Sequence, residues 1–301
     1  MFKYKLLTKL KSLTQGKNTL DAIWKIIYTA VGCISSVFSL AVLLNDLVGF
    51  DRAESLCKKH WGLLVVFGVL ISLIINHDPI SCRGSKEDDD LIIDIKVNNL
   101  FDVSATSYVI PTNSYFRTIM DDEYISANSV QGAFQNKYFK NNLPELDRLL
   151  DESLKQQNLQ IVDEQDKFGT VKRYPIGTVA KINHKNKHFY FVAINDVNEY
   201  GKPVNQSYNN VNFAFNGLFE AIKKFGHCDD LAIPLIGTGK AAIRDATIDK
   251  VVQDTIDCFL NTNDKIVENL TICISPKDYY MGKVSIDKIA KYLKYRCEFE
   301  E

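Results

Sequence analysis

The chain has little that would tie it together covalently or draw it onto a charged polymer. Its seven cysteines (33, 57, 82, 228, 258, 273 and 297) are thinly spread and include no CxxC pair. That spacing excludes a disulfide framework and a zinc cluster, and it fits reduced thiols facing the cytosol. An excess of one charge is missing as well: 36 Lys and Arg stand against 37 Asp and Glu, a formal net charge of −1. Nothing global pulls the protein toward nucleic acid, which is therefore not an expected partner. With 15 glycines and 7 prolines the chain is neither collagenous nor of low complexity. What it does have is apolar: 46% hydrophobic and 11% aromatic residues exclude a disordered protein. Its 301 residues allow one large domain or two smaller units, and the apolar residues are unevenly shared between the two ends.

Residues 26–44 (IIYTAVGCISSVFSLAVLL) carry no charge. As a helix they span about 28 Å, close to the ~30 Å hydrocarbon core of a bilayer. A second uncharged run, 61–75 (WGLLVVFGVLISLII), reaches only about 22 Å and needs Asn76 and His77, or local thinning, to cross. Trp24, Tyr28 and Trp61 stand at the ends of these runs, where amphipathic rings favour the headgroup layer. We expect a transmembrane hairpin with helices at about 24–48 and 61–77. A cleaved signal peptide would start its apolar core earlier, and a buried hairpin of a soluble protein is the competing reading. Five lysines (3, 5, 9, 11 and 17) and no acid in residues 1–20 put the N-terminus in the cytoplasm. Two crossings return the chain to that side. On the first helix Gly32, Ser35, Ser36 and Ser39 recur at helical spacing, a surface suited to close helix contact. The expected division is 1–80 for the basic segment and hairpin, 81–90 for a polar, acidic linker, and 91–301 for a second domain.

In that second domain strands alternate with amphipathic helices, as in an α/β fold whose helices cover the sheet. Residues 91–97 (LIIDIKV), 108–111 (YVIP), 231–236 (LAIPLI) and 270–275 (LTICIS) read as strands. Residues 177–183 and 188–195 read as a hairpin turning through His184-Lys185-Asn186-Lys187. Apolar periodicity predicts helices over 210–225, after Ile243, and after Ser285. His184 and His188 have a metal-like spacing, but a hairpin would separate them, so no metal site is expected.

Chemistry concentrates at Gly237-Thr238-Gly239-Lys240, a strand running into a glycine turn and then a helix. Such a turn lets backbone N–H groups approach an anion at a helix start. A P-loop would need glycine where Pro234 stands. GTGKAA matches the loose dinucleotide pattern, but no acid ends the following strand about 20 residues on. An ordinary strand-to-helix turn is the plain alternative.

The strand IPLIGTG entering a helix resembles the phosphate loop of macro domains, which bind ADP-ribose. Val97-Asn98-Asn99-Leu100-Phe101 resembles their adenine turn, residues 109–113 (VIPTN) the strand end with the ribose-side asparagine, and 126–134 (SANSVQGAF) a shortened first glycine loop. Over residues 91–301 the resemblance implies a macro-like three-layer α/β/α domain with a mixed sheet. It implies binding groups only. Gly237, Thr238, Gly239 and Lys240 would hold the pyrophosphate, Asn113 the distal ribose, and Asn99 and Leu100 the adenine. Ser129 and Gly132 would complete the facing loop, and Tyr279 or Tyr280 would pack on ribose or base. The ligand would be an ADP-ribose derivative, with no cofactor and no catalytic residue. The chain departs from the family pattern in three places: Asn99 for the usual aspartate, PTNS for NAAN, and the single Gly132 for a triple glycine.

With the hairpin, IPTN, a long insert around 136–176 and IPLIGTGK, the chain resembles the macro-domain effectors of Thoeris anti-phage defence, in the transmembrane (type II) form of their A protein. That resemblance implies a TIR-domain partner that makes an ADP-ribose-derived signal from NAD, a histidine conjugate. The effector would sense it from the bacterial inner membrane, assemble as a homo-oligomer, and disrupt the membrane, causing cell death or growth arrest. A membrane-tethered ADP-ribosyl hydrolase, or another enzyme of NAD metabolites, is the alternative, and an anchored interaction protein without a ligand is a third.

Overall fold

The computed structural model describes residues 7–8, 11–12, 19–48, 52–86, 91–121, 125–166, 169–198, 200, 202–225, 228–239, 247–262 and 266–298. They fall into two units, one of residues 1–80 with 276–287 and one of 81–275 with 288–301.

The first unit contains α1 (Thr19–Val48), the short α2 (Arg52–Lys59) and α3 (Trp61–Ile75). The apolar stretch of α1, Ile23–Leu47, has 25 residues and so rises about 37 Å, long enough to cross a bilayer. The second helix is shorter than the expected 61–77 because Asn76 terminates it, its backbone N–H turning back to the carbonyls of Ser72 and Ile74. α1 and α3 run antiparallel in close contact. A Cβ on Gly68 would come within 2.9 Å of Ile34 Cγ1 and 3.1 Å of the Ala30 carbonyl, so only glycine lets the helices approach this far. At one end of the pair Ser72 Oγ donates to the Ile26 carbonyl at 3.0 Å, and Asn76 Nδ2 donates to Thr29 Oγ1 at 3.0 Å. Such bonds hold helices together where the surroundings are apolar. The small-residue face of α1 plays no part in this contact: Gly32, Ser35, Ser36 and Ser39 are exposed.

In the second unit the elements follow as β1 (Ser81–Lys86), β2 (Leu91–Val97), β3 (Ser107–Asn113), α4 (Val130–Tyr138), α5 (Leu143–Lys155), β4 (Val162–Asp166), β5 (Gly169–Arg173), β6 (Val179–His184), β7 (Lys187–Val197), β8 (Pro203–Val204), α6 (Tyr208–Phe225), β9 (Cys228–Pro234), α7 (Ile248–Leu260) and β10 (Val267–Ile274). α8 (Pro276–Tyr280) belongs to the first unit, and α9 (Ile286–Glu298) ends the described chain. The main sheet runs β1-β2-β10-β9-β3-β7-β6, with β8 on the end of β7. Its five central strands are parallel, and β1 and β6 are antiparallel edges.

β7 shows why the sheet is covered on both faces. Phe189, Phe191 and Ala193 join one cluster with Phe134 and Phe139 of α4 and its flank, and with Leu146, Leu150 and Leu154 of α5. The alternate residues Tyr190 and Val192 are equally buried on the opposite face, as the two-residue period of a strand requires. α6 packs on β7, and Phe215 and Phe219 carry the aromatic packing on to Phe259 of α7. The result is the expected three-layer α/β/α domain with a mixed sheet.

One boundary differs from the sequence reading. Residues 81–86, expected as the start of a linker, form the edge strand β1, paired with β2 over its whole length. Gly84 makes this possible, since a Cβ there would meet Leu293 of α9 at 2.7 Å. Arg83 fixes the register by a two-pronged bond to Asp94 at 2.6 and 2.7 Å. The remainder of the expected linker, 87–90, lies outside the described residues. The hairpin turn at β6–β7 also tightens to two residues, Lys185 and Asn186, with φ of 49° and 58°, the left-handed pair that suits the strand twist.

Candidate ligand site

Because the five central strands are parallel, the loops that leave β2, β10, β9, β3 and β7 all emerge at one edge of the sheet. In open α/β sheets that carboxyl-end edge is where ligands bind. Asn99 and Leu100 follow β2, Asn113 ends β3, and Gly237, Thr238 and Gly239 follow β9. Residues far apart in sequence thus share one edge. β3 and β9 pair only at Ser107↔Leu231 and Tyr108↔Ala232. Pro234, which has no N–H to give, ends β9.

The glycine turn is built for close approach. Gly237 is buried with φ +83°, a conformation an L side chain would strain. Thr238 Oγ1 donates to the Leu235 carbonyl at 3.0 Å and so fixes the turn from within. Gly239 is exposed, and a Cβ there would meet nothing within 4 Å. The N–H groups of Gly237, Thr238 and Gly239 meet no protein acceptor among the described residues. Lys240 lies outside the described residues, and so does the start of the expected helix around Ile243. Ile236 and Gly237 also line a small pocket with Ile194, Gln206, Ser207 and Asn210. Ser207 Oγ accepts from the Asn210 N–H at 3.3 Å and donates to Asn210 Oδ1 at 3.0 Å at the start of α6. Apolar periodicity places the start of this helix at Asn210, whereas it begins at Tyr208, directly after Gln206 and Ser207. The usable signal was a serine three residues before an asparagine, just ahead of an apolar-periodic run.

Asn113 is held by a bulge. The β3–β7 register runs Thr112↔Ala193 and then Asn113↔Asn195, leaving Ile194 as the extra residue. Asn113 Oδ1 accepts from the Tyr115 N–H at 3.1 Å and the Arg117 N–H at 3.4 Å. Its Nδ2 meets no acceptor among the described residues, so the amide has donors to offer. Asn99 is arranged the other way round. Its Nδ2 donates to Asp102 Oδ2 at 2.7 Å, and its carboxamide oxygen meets no donor among the described residues. Leu100 turns into the core at 5% exposure, so only its backbone can serve a ligand.

Ser129 and Gly132 have a structural explanation of their own. Ser129 caps α4, its Oγ accepting from the Gly132 N–H at 3.0 Å and donating to the Ser126 carbonyl at 2.7 Å. A Cβ on Gly132 would stand 2.2 Å from that same carbonyl, so glycine is required whatever binds nearby. Tyr279 belongs to the unit of the helical hairpin. Its hydroxyl donates to Asp78 Oδ2 at 2.8 Å, and Lys11 donates to the Tyr279 carbonyl at 2.8 Å. Burial, and then the carboxylate of Asp78, push the Tyr279 hydroxyl well above its ordinary pKa. The ring is 1% exposed. His184 and His188, the remaining candidates, sit on adjoining hairpin strands, where His184 packs on Phe139 and His188 bonds Asn183.

A mixed sheet between helices, with a glycine turn at the carboxyl ends of its parallel strands, makes this a three-layer α/β/α domain with a candidate ligand edge. The family model described as Thoeris protein ThsA, Macro domain, matches residues 93–275, well over half of the chain, and the chain belongs to that family. The curated Thoeris protein ThsA of Bacillus amyloliquefaciens (strain Y2) is similar at 23% identity over 226 residues, 68% of this chain and 69% of that protein. Among solved structures, the Oceanobacillus iheyensis macrodomain mutant N30A aligns at 15% identity and TM-score 0.47, covering 71% of this chain and 93% of that one. The same macrodomain with ADP aligns at 14% and 0.48, covering 71% and 96%.

Proposed function

We propose that this protein is a membrane-anchored sensor of Thoeris antiviral defence, whose macro domain binds an ADP-ribose-derived signal made by a TIR-domain partner. The observation that carries the reading is the Gly237–Gly239 turn: three N–H groups that meet no acceptor among the described residues, at the carboxyl edge of the sheet, in a chain of the Thoeris ThsA macro-domain family. Backbone N–H groups beside a buried glycine suit a pyrophosphate. Asn113 Nδ2 suits a ribose hydroxyl, and the Asn99 carboxamide oxygen suits an adenine amino group. The signal is bound and not consumed, and binding draws hairpins together through the exposed face of Gly32, Ser35, Ser36 and Ser39. The hairpin then breaches the bacterial inner membrane, with the macro domain on its cytoplasmic side.

Calorimetric titration of the detergent-solubilised full chain with ADP-ribose and its histidine conjugate tests the ligand reading. Saturable binding without turnover is expected. Rapid release of product would favour the hydrolase, and absence of heat with either compound would remove the ligand. The anchor reading expects the full chain to need detergent and a chain starting at Ser81 to be soluble without it. Purification of the full chain from the soluble fraction would overturn it.

A further inference from the structure

The insert between α4 and β6 carries the two-stranded sheet β4–β5, and three contacts fasten that sheet to the strand ends beside Asn113. The Tyr115 hydroxyl donates to Glu164 Oε2 of β4 at 2.5 Å. Arg173 of β5 brings its Nε to 2.8 Å from the other Glu164 oxygen and its Nη1 to 3.6 Å from Asp196 of β7. The Tyr174 N–H donates to the Ser114 carbonyl at 2.9 Å. The Arg173 contacts are electrostatic, since its Nε–H is not aimed for a hydrogen bond. Tyr115 also packs against Ile125 and Val197. Burial, and then the carboxylate of Glu164, push the Tyr115 hydroxyl above its ordinary pKa, so it stays protonated and keeps donating.

Tyr115 is the link between this cluster and the site. Its backbone N–H makes the shorter of the two bonds to Asn113 Oδ1, the other coming from the Arg117 N–H, and together these leave the Nδ2 end of the carboxamide for a ligand. We propose that Tyr115, held by Glu164 and Arg173 of the insert, is a positioning residue that orients the Asn113 amide toward the distal ribose, so that the insert sets specificity for that end of the ligand. The inference rests on the ligand reading above and adds to it the part of the ligand that the insert controls. A donor fixed in advance costs less to order on binding than one that must first find its orientation.

ADP and ADP-ribose are the probes, because ADP lacks the distal ribose. Tyr115→Phe removes one hydroxyl and keeps the ring among Ile125 and Val197. Glu164→Gln keeps an acceptor for the hydroxyl but breaks the ion pair with Arg173. In the full chain, Tyr115→Phe should weaken ADP-ribose by about tenfold, and Glu164→Gln by a smaller factor, while ADP affinity stays at the wild-type value. Equal loss for both ligands, or no loss for either, in a variant that melts like wild type overturns the positioning role. If Tyr115→Phe melts early, Glu164→Gln decides by the same comparison. A wild-type chain that binds neither ligand overturns the ligand reading and this inference together, whereas a wild-type chain that binds both, with unaltered variants, overturns the inference alone.

Discussion

In the helical unit Leu47, Leu63 and Ile74 are 74%, 68% and 76% exposed, whereas in the sheet unit Ile93, Ile95, Phe134 and Phe189 are fully buried. The same residue types thus face opposite ways in the two regions. The sheet unit places its apolar side chains between layers, where removal from water stabilises the fold. In the helical unit Ala30, Gly68 and Ser72 are buried at the helix contact, while many of the large apolar residues, like Gly32, Ser35, Ser36 and Ser39, face outward. An arrangement like that suits hydrocarbon surroundings, since in water it would leave those large apolar side chains exposed.

The sharpest way to break this comparison is to truncate one apolar residue in each region. Phe134→Ala removes a ring that touches Phe101, Tyr138, Phe139, Phe189 and Phe191, and should cost about 3–5 kcal/mol in denaturant unfolding. Leu63→Ala on the outside of α3 should change stability in detergent by less than about 0.5 kcal/mol. Comparable losses would mean that the outer face of α3 is packed against protein.

Next in size is Gly239→Val. No atom of the described residues lies within 4 Å of the Cβ position, so the fold should be unchanged, while the new side chain should crowd the N–H groups of the turn. Loss of charge-assisted bonds worth about 1.5–3 kcal/mol each should weaken ADP-ribose binding by roughly 100-fold or more. Wild-type affinity in a folded variant would take the turn out of the site. If the proposed function holds, cells with this variant and a TIR-domain partner should keep their membrane potential during phage infection.

The helix contact should respond more modestly. Gly68→Leu forces a side chain against Ile34 and the Ala30 carbonyl, and helices in contact through small residues separate under overpacking at a cost of about 1–3 kcal/mol. Cysteine crosslinking between α1 and α3 in membranes would record the separation, and an undiminished yield would deny the close approach.

The smallest effect concerns pH. Burial, and then the neighbouring Lys185, lower the His184 pKa in the folded protein, against a weaker opposing pull from Glu145. Below about pH 6.5 the unfolded chain takes up a proton that the folded chain resists, so this contribution is intact above that pH and is lost as pH falls toward the lower folded value. His184→Gln should therefore narrow the gap between melting temperatures at about pH 7.5 and about pH 5 by ~1–2 °C. His188, lowered by burial and then by Lys181, leaves a residual slope. An unchanged gap would contradict the sign.

Part of the candidate site was legible in single residues. Glycines at 237 and 239 after a buried strand announce a backbone turn, because only glycine takes φ +83° without strain. Asn113 at the end of an apolar run was legible for a related reason, a polar residue where a strand stops. The cluster of Tyr115, Glu164, Arg173 and Asp196 was not. Its members are scattered along the chain, and no periodicity or spacing relates residues that meet only when an inserted hairpin folds back on the sheet. β1 was missed because SCRGSK has neither strand composition nor alternation of its own. Its pairing comes from β2 and from the close approach of α9 at Gly84.

The division of labour follows from the range of the forces involved. Apolar runs, turn glycines and helix periodicity are local, so the sequence by itself determined the long apolar helix, the α/β class of the second region and the glycine turn after one of its strands. Which strands lie side by side is a matter of contacts between distant residues. So are the bulge that turns Asn113, the capping that occupies Ser129, the bond of Tyr279 to Asp78, and the ion-paired insert beside Asn113. Only the tertiary structure decided these, because burial and hydrogen-bond geometry assign each polar group a partner that no local pattern encodes.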